Sequence, residues 1–349
     1  RDTEQLRGLA EHLGAETFSL RTGLPLWTQW SLTKHRWLLD HIPAVATATG
    51  RYNIAEWVAR DLGAERATEL SLASRTGWLD LESGRPWGAS MDWSGAPEGF
   101  LDNLVTAGTA IGTAQTSGDL AALDGATLTV AGHDHQAAVV GVGISNPGDE
   151  FDSCGTAEAF VRTIKPGLAA DAIAELTTSG VTVGWHAIKD RWCLLGATQG
   201  GLALGRVQTA LGVDREDLAA LDAAALAAAD DPKAVQISDA GDISIDDGAD
   251  PAQVWRAAAA AVTRQGFELS ESLSRISGPR QALVVAGGWT NSAAVMTAKA
   301  DRFGDLRRVT TTEPGARGAA LLAGLAHGTF ASYDQMPTHD SAHTKDASP

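Results

Sequence analysis

Apolar residues recur along the chain at two spacings, which predict an alternation of helices and strands. Spacings of three to four residues predict helices over several stretches: Thr3–Leu13, Ser31–His41, 53–62, 97–105, 136–143, 200–211, 250–276 and 313–325. Short apolar runs beside glycine or polar turns predict strands over 128–131, 181–187, 192–197 and 281–286, and residues 235–245 are strand-like with acidic turns. Strands followed by helices along a chain are typical of the α/β class.

The stretch from residue 127 to residue 156 holds the residues best suited to chemistry. Asp134 follows the predicted strand 128–131 directly and precedes the predicted helix 136–143. Open α/β sheets place ligand sites at such strand-to-helix junctions. Residues 152–156, Asp-Ser-Cys-Gly-Thr, then form a polar turn between two apolar segments. This combination fits phosphoryl transfer, because a carboxylate can accept a hydroxyl proton while the N–H groups of a glycine turn hold phosphate oxygens.

Each of these features also has a structural interpretation. An aspartate before a helix is often an N-cap, and Ser-Cys-Gly-Thr can be an ordinary hairpin turn. His133 and His135 raise the alternative of a metal site. Metal ligation by that pair is disfavoured, because two histidines that flank one aspartate on a turn rarely converge.

Composition limits the classes of partner. The chain has 349 residues, of which 44% are hydrophobic, so it is long enough for two domains with real cores. A net charge of -16 argues against nucleic acid and against anionic membranes as partners. A phosphate substrate is still allowed, since local N–H groups and Mg²⁺ can supply a positive field.

The cysteine content and the hydropathy of the sequence bear on its cellular compartment. The two cysteines, Cys154 and Cys193, give no disulfide framework, which favours a reducing cytoplasmic compartment. The sequence contains neither an apolar run long enough to span a bilayer nor a visible signal peptide. The sequence alone thus favours a cytoplasmic protein.

Glycine turns mark the second half of the chain. Gly200 and Gly201 open the predicted helix 200–211, and Gly287 and Gly288 follow the predicted strand 281–286 directly. Glycine at such places lets the backbone approach a ligand or another helix closely. The order of strand, glycine turn and helix is typical of nucleotide sites, although neither G-x-G-x-x-G nor a P-loop is present.

Taken in order, these stretches resemble the FGGY family of carbohydrate kinases over nearly the whole chain. The matching motifs are residues 31–41 (Ser-x-x-Lys-x-x-Trp-Leu-x-Asp-His), 132–138 (Gly-His-Asp-His-x-Ala-Ala), 153–158 (Ser-Cys-Gly-Thr-Ala-Glu), and 286–291 together with 313–324. The first motif departs from the family pattern at Gln29 and His35, and the Trp-Leu that often follows Gly200-Gly201 is missing. Each motif alone is weak, but four in the right order and spacing are specific.

The resemblance implies an α/β, actin-like ATPase fold of two ribonuclease H-like domains, with ATP and sugar meeting in the cleft. Residues 1–146 would form most of the sugar-side domain, 147–330 the ATP-side domain, and 331–349 a polar tail. The implied reaction moves the γ-phosphoryl of MgATP to a hydroxyl of a sugar or polyol. The family also allows a homodimer.

Site residues follow from the resemblance motif by motif. Asp134 would be the general base and, through ATP, a contact of Mg²⁺, with Gln29 and His135 at the sugar. ATP would be held by the remaining motif residues: Gly155, Thr156, Gly200, Gly201, Gly287, Gly288 and Asn291. Pentulose, hexulose and polyol kinases share these motifs, so the substrate within the class stays open.

The front of the chain departs most from the family. The family opens with an Asp-x-Gly-Thr turn that binds phosphate and magnesium, followed by a Trp-x-Asp-x-Arg segment that grips the sugar, and neither is in this sequence. The sequence therefore resembles an N-terminally truncated kinase, whose first domain is incomplete and which we expect to be inactive as given. The alternative is a regulatory relative that has lost catalysis and binds sugar or nucleotide.

Overall fold

The computed structural model describes residues 1–309 and 311–337, and the backbone of residues 341–343. Its residues group into two compact units. Unit 1 comprises Arg1–Pro147, Thr163–Leu194 and Glu313–Thr338, and unit 2 comprises Gly148–Arg162, Leu195–Thr312 and His339–Pro349. The first break lies beside the expected boundary at 146/147. However, residues 163–194 and 313–338 group with unit 1, whereas the sequence suggested one uninterrupted second domain.

Helical residues outnumber strand residues in the described chain. In chain order the helices are α1 (Thr3–Leu13), α2 (Ala15–Thr22), α3 (Ser31–His41), α4 (Ile54–Asp61), α5 (Leu70–Ala73), α6 (Gly88–Ser94), α7 (Asp134–Gly141), α8 (Ala170–Thr178), α9 (Gly200–Ala210), α10 (Leu218–Ala227), α11 (Pro251–Ser277), α12 (Ala293–Phe303) and α13 (Pro314–His327). Short 3₁₀ turns lie at Pro43–Thr47, Gly118–Leu123, Gly288–Asn291 and Tyr333–Gln335. Among the described residues, none of these helices is long and apolar enough to cross a bilayer.

The described strands before α7 have two residues each, and those after it have three to seven. In chain order they are β1 (Thr68–Glu69), β2 (Leu79–Asp80), β3 (Arg85–Pro86), β4 (Leu104–Val105), β5 (Gly112–Thr113), β6 (Thr127–Leu128), β7 (Asp149–Cys154), β8 (Glu158–Ile164), β9 (Thr182–Trp185), β10 (Trp192–Thr198), β11 (Val235–Ile237), β12 (Ile243–Ile245), β13 (Ala282–Ala286), β14 (Arg307–Val309) and β15 (Ser341–His343).

Unit 1 is built around aromatic side chains. One core cluster joins α1, α2, α3 and α6 through buried residues that include Phe18, Trp30, Trp78 and Phe100. The indole nitrogens are satisfied locally, since Trp30 donates to the carbonyl of Pro25 at 2.6 Å. Trp78 donates to the hydroxyl of Ser94 at 2.8 Å. These tryptophans are therefore packing residues with hydrogen-bonded edges.

Helices α7 and α13 of unit 1 pack with their backbones in contact. A Cβ on Gly141 would overlap the carbonyl oxygen of Pro314, and one on Gly318 would overlap that of Ala137. Glycine at both crossing points is what allows this approach. The contact explains why α13, near the end of the sequence, groups with unit 1.

Six strands of the main sheet lie wholly or partly in unit 2, in the order β15-β14-β13-β7-β8-β10, and β9 follows β10 as the seventh strand. Strands β7 and β13 are parallel, with Ala286 opposite Ser153. Strands β7 and β8 form an antiparallel hairpin, with Cys154 opposite Glu158. A second core lies between α9, α10, α11 and α12, with Trp255 fully buried at its centre. The parallel pair brings the turn after β7 and the turn after β13 to the same edge of the sheet.

Two predictions of secondary structure are wrong. Residues 97–105 form turns and the short strand β4, because Gly99 and Asn103 adopt positive φ angles of 77° and 47° and interrupt any helix. Of the predicted strand 128–131, only Leu128 is in a strand, since β6 pairs with the two-residue β5 and Gly132 then turns at a φ of 83°. Val130 is nevertheless buried.

A substitution at the α7–α13 crossing tests this packing. We expect Gly318→Ala to lower the free energy of unfolding by about 1–3 kcal/mol, because the new methyl group forces two backbones apart. The matched control is Gly8→Ala in α1, where the added Cβ would lie 3.8 Å from Trp93. That change should stabilise the helix by about 0.5–1 kcal/mol. Equal effects of both variants in urea denaturation would contradict the packing described.

Candidate active site

A glycine turn places Asp134 at the start of α7. Gly132 has a φ of 83° and lies against the side chains of Ser71 and Glu69, where a Cβ would not fit. The Ser71 hydroxyl accepts the N–H of His133 at 3.0 Å and donates to Glu69 at 2.6 Å. These hydrogen bonds join the turn that carries Asp134 to Ser71 and Glu69 and hold it in place.

The carboxylate of Asp134 is exposed and charged. Its side chain is 81% exposed. Its Oδ1 atom lies 2.7 Å from the backbone nitrogen of His135 and 3.0 Å from that residue's Nδ1. The hydrogen bond from His135 holds the pKa of Asp134 well below its ordinary value. The carboxylate is therefore ionised, as a general base must be.

The alternative interpretation of Asp134 as the N-cap of the following helix is wrong. The N-cap of α7 is His133, and Asp134 is already the first helical residue. The two histidines do approach one oxygen, because His133 Nδ1 also lies 3.0 Å from Asp134 Oδ1. Burial and the charge of Arg75 lower the pKa of His133 to about 3, so its ring is neutral.

Gln29 lies in the loop before α3, and its side chain is exposed. The ammonium of Lys34 donates to the carbonyl oxygens of Thr28 and Gln29, at 2.7 and 2.5 Å. Beside this loop, Trp27 stacks on Trp30 with ring centroids 6.2 Å apart. The backbone at Gln29 is thus fixed, and its role at the sugar stays a hypothesis.

Unit 2 contains a large cavity of about 1250 Å³. Five of the residues assigned to ATP from the sequence line it: Gly155, Thr156, Gly201, Gly288 and Asn291. Its remaining wall includes Leu202, Arg206, Arg215 and Trp289. Segments far apart in sequence, from the β7–β8 turn, α9 and the turn after β13, therefore meet around one space.

The other two predicted ATP residues, Gly200 and Gly287, lie behind the wall of this cavity. Gly200 is buried, and its N–H donates to the hydroxyl of Thr198 at 3.2 Å. Gly287 has a φ of 115°, and a Cβ there would overlap the backbone of Cys154. Both glycines thus serve the close packing of the turns, and neither is placed to touch a ligand in the cavity.

Contacts between backbones also hold the β7–β8 turn. A Cβ on Gly201 would overlap the carbonyl oxygens of Gly155 and Thr156. The N-terminal turn of α9 therefore rests directly on the turn. Free N–H groups at a helix N-terminus favour anions, so the position suits phosphate.

Sequence reasoning missed Asp222, which also lines the cavity. Its carboxylate is buried and accepts hydrogen bonds from Trp255 Nε1 at 2.7 Å, Ser292 Oγ at 2.6 Å and Ala293 N at 2.8 Å. It thereby caps α12 from another helix. The only signal in the sequence is an isolated acidic residue within the otherwise apolar stretch 218–227.

Known proteins resemble this chain throughout its length. The model for the N-terminal domain of the FGGY family of carbohydrate kinases matches residues 1–141. The glycerol kinase of Nitratidesulfovibrio vulgaris is 29% identical, with 97% of this chain and 70% of that protein covered. Glycerol kinase 2 of Streptomyces avermitilis is 28% identical, with 93% and 68% covered.

Solved structures share the fold. The Plasmodium falciparum glycerol kinase with ADP superposes with a TM-score of 0.85 at 17% identity, covering 98% of this chain and 72% of that chain. The Rhodospirillum rubrum xylulose kinase gives 0.82 at 21% identity, with the same shares covered. Residues 1–141 are thus similar to the N-terminal domain of the FGGY family of carbohydrate kinases, and the curated relatives and solved structures extend that similarity over nearly the whole chain.

These comparisons support the resemblance found in the sequence, and the solved structures show the actin-like ATPase fold that it implied. The curated relatives are glycerol kinases, which transfer phosphate to an alcohol, so the chain is similar to carbohydrate kinases. The alternative of an inactive regulatory relative receives no support from these comparisons.

Glu69, beneath the Asp134 turn, allows a test by pH. Burial raises the pKa of this carboxyl to about 7. Its Oε1 atom has no hydrogen-bond partner within the part of the chain that the structure describes. The unfolded chain loses this proton near the ordinary pKa of 4.5. Stability from the protonated form is thus fully present below that pH and is lost as the pH rises towards 7.

We therefore expect Glu69→Gln to gain stability relative to the wild type as the pH rises. The neutral amide loses no proton, so the difference in free energy of unfolding should change by about 2–3 kcal/mol between pH 5 and pH 8. Urea denaturation of both proteins across that range measures the difference. A difference that does not vary with pH would show that Glu69 is ionised in the folded protein.

Proposed function

We propose that the protein transfers the γ-phosphoryl group of MgATP to a hydroxyl of a sugar or polyol. The observation that carries the proposal is the cavity of unit 2, which is lined by Gly155, Thr156, Gly201, Gly288 and Asn291. Three separate segments supply these residues, and their small side chains let a polyphosphate approach the backbone and the N-terminus of α9.

Asp134 is the general base in this proposal. Its carboxylate is exposed, is ionised, and stands at the first residue of a helix. Such a group can accept the proton of the attacking hydroxyl as the bond to phosphorus forms. His135 holds the carboxylate by two contacts to Oδ1 and so fixes the oxygen that receives the proton.

The nucleotide would be held by the turns of unit 2. Thr156 offers its N–H group and hydroxyl to the phosphates, Gly155 lets them approach the backbone closely, and Gly288 leaves space beside the nucleoside. Asn291 is positioned by Arg308, which donates to its Oδ1 at 2.9 Å. The Plasmodium falciparum glycerol kinase, whose structure contains ADP, supports an adenine nucleotide.

Mg²⁺ fits the exposed carboxylate of Asp134. This ion prefers oxygen ligands and usually binds through one or two carboxylates together with substrate phosphates. The Asp134 carboxylate supplies such an oxygen. When bound, the ion would neutralise charge on the phosphates.

Glycerol is the first acceptor to test, and pentuloses are the second. The curated relatives are glycerol kinases at 27–29% identity. The solved structures include xylulose kinases at lower identity, which bear on the fold alone. The acceptor that gives the highest kcat/KM in a coupled ADP assay identifies the substrate within this class.

Asp134→Asn should lower kcat by about a hundredfold or more, the usual scale for loss of a positioned base. The affinity for ATP measured without Mg²⁺ should change little, since Asp134 is not among the residues that line the cavity. Steady-state kinetics and calorimetry measure the two quantities. A kcat close to that of the wild type would remove Asp134 from the mechanism.

Gly288→Leu should abolish ATP binding and leave the fold intact. A Cβ on Gly288 has no heavy atom within 4 Å, so the side chain would project into free space in a residue that lines the cavity. The matched control is Gly88→Leu, an exposed glycine of unit 1 with equal free space. ATP affinity that is the same in both variants would place the nucleotide elsewhere.

A further inference from the structure

A buried lysine lies behind the cavity of unit 2, and the proposed reaction does not use it. Lys299 of α12 is 1% exposed. Its Nζ atom lies 2.5 Å from Asp152 Oδ2 and 2.5 Å from Glu158 Oε1. Asp152 is on β7 and Glu158 is on β8, so one ammonium joins the two strands on either side of the turn at Gly155 and Thr156.

The hydrogen bonds of Glu158 extend from the β7–β8 hairpin to a third segment, the N-terminus of α9. The second oxygen of Glu158 accepts the hydroxyl hydrogen of Thr198 at 2.8 Å. The Thr198 oxygen in turn accepts the N–H of Gly200, the first residue of α9, at 3.2 Å. Lys299 is therefore linked by hydrogen bonds to both elements that build the proposed phosphate end of the cavity, the β7–β8 turn and the N-terminus of α9.

Lys299, Asp152 and Glu158 form a buried cluster of charged groups, which is unusual for a protein interior. Burial raises the pKa of Asp152, and the charge of Glu158 raises it further, against the opposing effect of Lys299. Burial lowers the pKa of Lys299, but the surrounding carboxylates outweigh it and the pKa lies well above its ordinary value. Buried ion pairs are weak sources of stability, because desolvation offsets the attraction. A cluster of three such groups at this place is better explained by the geometry that it imposes.

A metal ion is the competing explanation for part of this cluster. Asp152, Cys154 and Glu158 could offer three ligand atoms within 4.8 Å of one another. The Lys299 ammonium already contacts both carboxylates, and a cation there would be repelled by it. The cluster is thus complete without a metal.

We propose that Lys299 is a positioning residue, which holds the Gly155–Thr156 turn in the conformation that receives the phosphates of the nucleotide. It acts through Asp152 and Glu158 and does not touch the ligand itself. The inference rests on the proposed function, in which the cavity of unit 2 binds ATP. It predicts that the cluster affects the phosphate end of the nucleotide and leaves the nucleoside end unchanged.

Variants of the whole cluster test the proposal. Lys299→Met leaves two carboxylates buried without their cation and risks misfolding. The decisive variant is therefore the neutral triple substitution Asp152→Asn, Glu158→Gln and Lys299→Met, which keeps side-chain size and leaves no unpaired charge. Calorimetry should show ATP binding weakened at least about tenfold, because a displaced turn no longer meets the phosphates. Adenosine binding should stay within about twofold, and the KM for the acceptor should not change.

The same hairpin provides a matched control. Glu150 of β7 and Arg162 of β8 form a second fully buried ion pair at the other end, with Arg162 Nε 2.7 Å from Glu150 Oε2. The double substitution Glu150→Gln and Arg162→Met should lower the melting temperature but keep ATP affinity within about twofold. Equal losses of ATP affinity in the control and the triple variant would reduce Lys299 to a general stabilising role and overturn the proposal.

The remaining outcomes separate the two proposals. If the wild-type protein binds neither ATP nor ADP, the proposed function fails. If the wild type binds ATP and the triple variant binds it equally well, only the role of Lys299 fails. If the triple variant loses adenosine binding as well as ATP binding, the cluster supports the whole cavity, and a specific effect on the phosphate end is excluded.

Discussion

Contact between backbones at glycine is the constraint on which both candidate sites depend. Gly201 lies so close to the carbonyl oxygens of Gly155 and Thr156 that no side chain fits between them. In unit 1, Gly141 and Gly318 allow the same approach between α7 and α13. Where main chains touch, the position of a turn no longer depends on the rotamers of long side chains. The positions of the residues that follow such turns, including Asp134, are therefore fixed by backbone packing.

Charge is used differently in the two units. In unit 1 the ionised carboxylate of Asp134 is exposed, and the buried carboxyl of Glu69 has a pKa raised to about 7. The exposed group is thus ready for chemistry, whereas the buried group serves the hydrogen bonds of the turn. In unit 2 the buried carboxylates of Glu150, Asp152 and Glu158 are paired with cations, through Arg162 and Lys299. Pairing lets the hairpin carry charge in its interior without an isolated ion.

The local parts of the fold could be predicted, and the long-range parts could not. The helix Ser31–His41 has the predicted bounds because its apolar spacing and the following Pro43 act within a few residues. Residues 97–105 failed because strand β4 pairs with β1, more than thirty residues earlier, and tertiary pairing overrode local pattern. The glycines of the cavity wall belong to local motifs and could be named in advance. Lys299 could not, because Asp152 lies 147 residues away and nothing in the sequence links the two.

Helix α12 spans the cavity region from one functional end to the other. Its N-cap, Ser292, directly follows the turn Gly288–Asn291, and seven residues later Lys299 contacts the strands beside Gly155 and Thr156. At a rise of about 1.5 Å per residue, these two points are roughly 10 Å apart along the axis. The length of the helix therefore sets the distance between the Gly288–Asn291 turn and the Gly155–Thr156 turn, which are proposed to bind the nucleoside and the phosphates. Side-chain substitutions leave that length unchanged, so only an insertion or deletion within α12 could alter it.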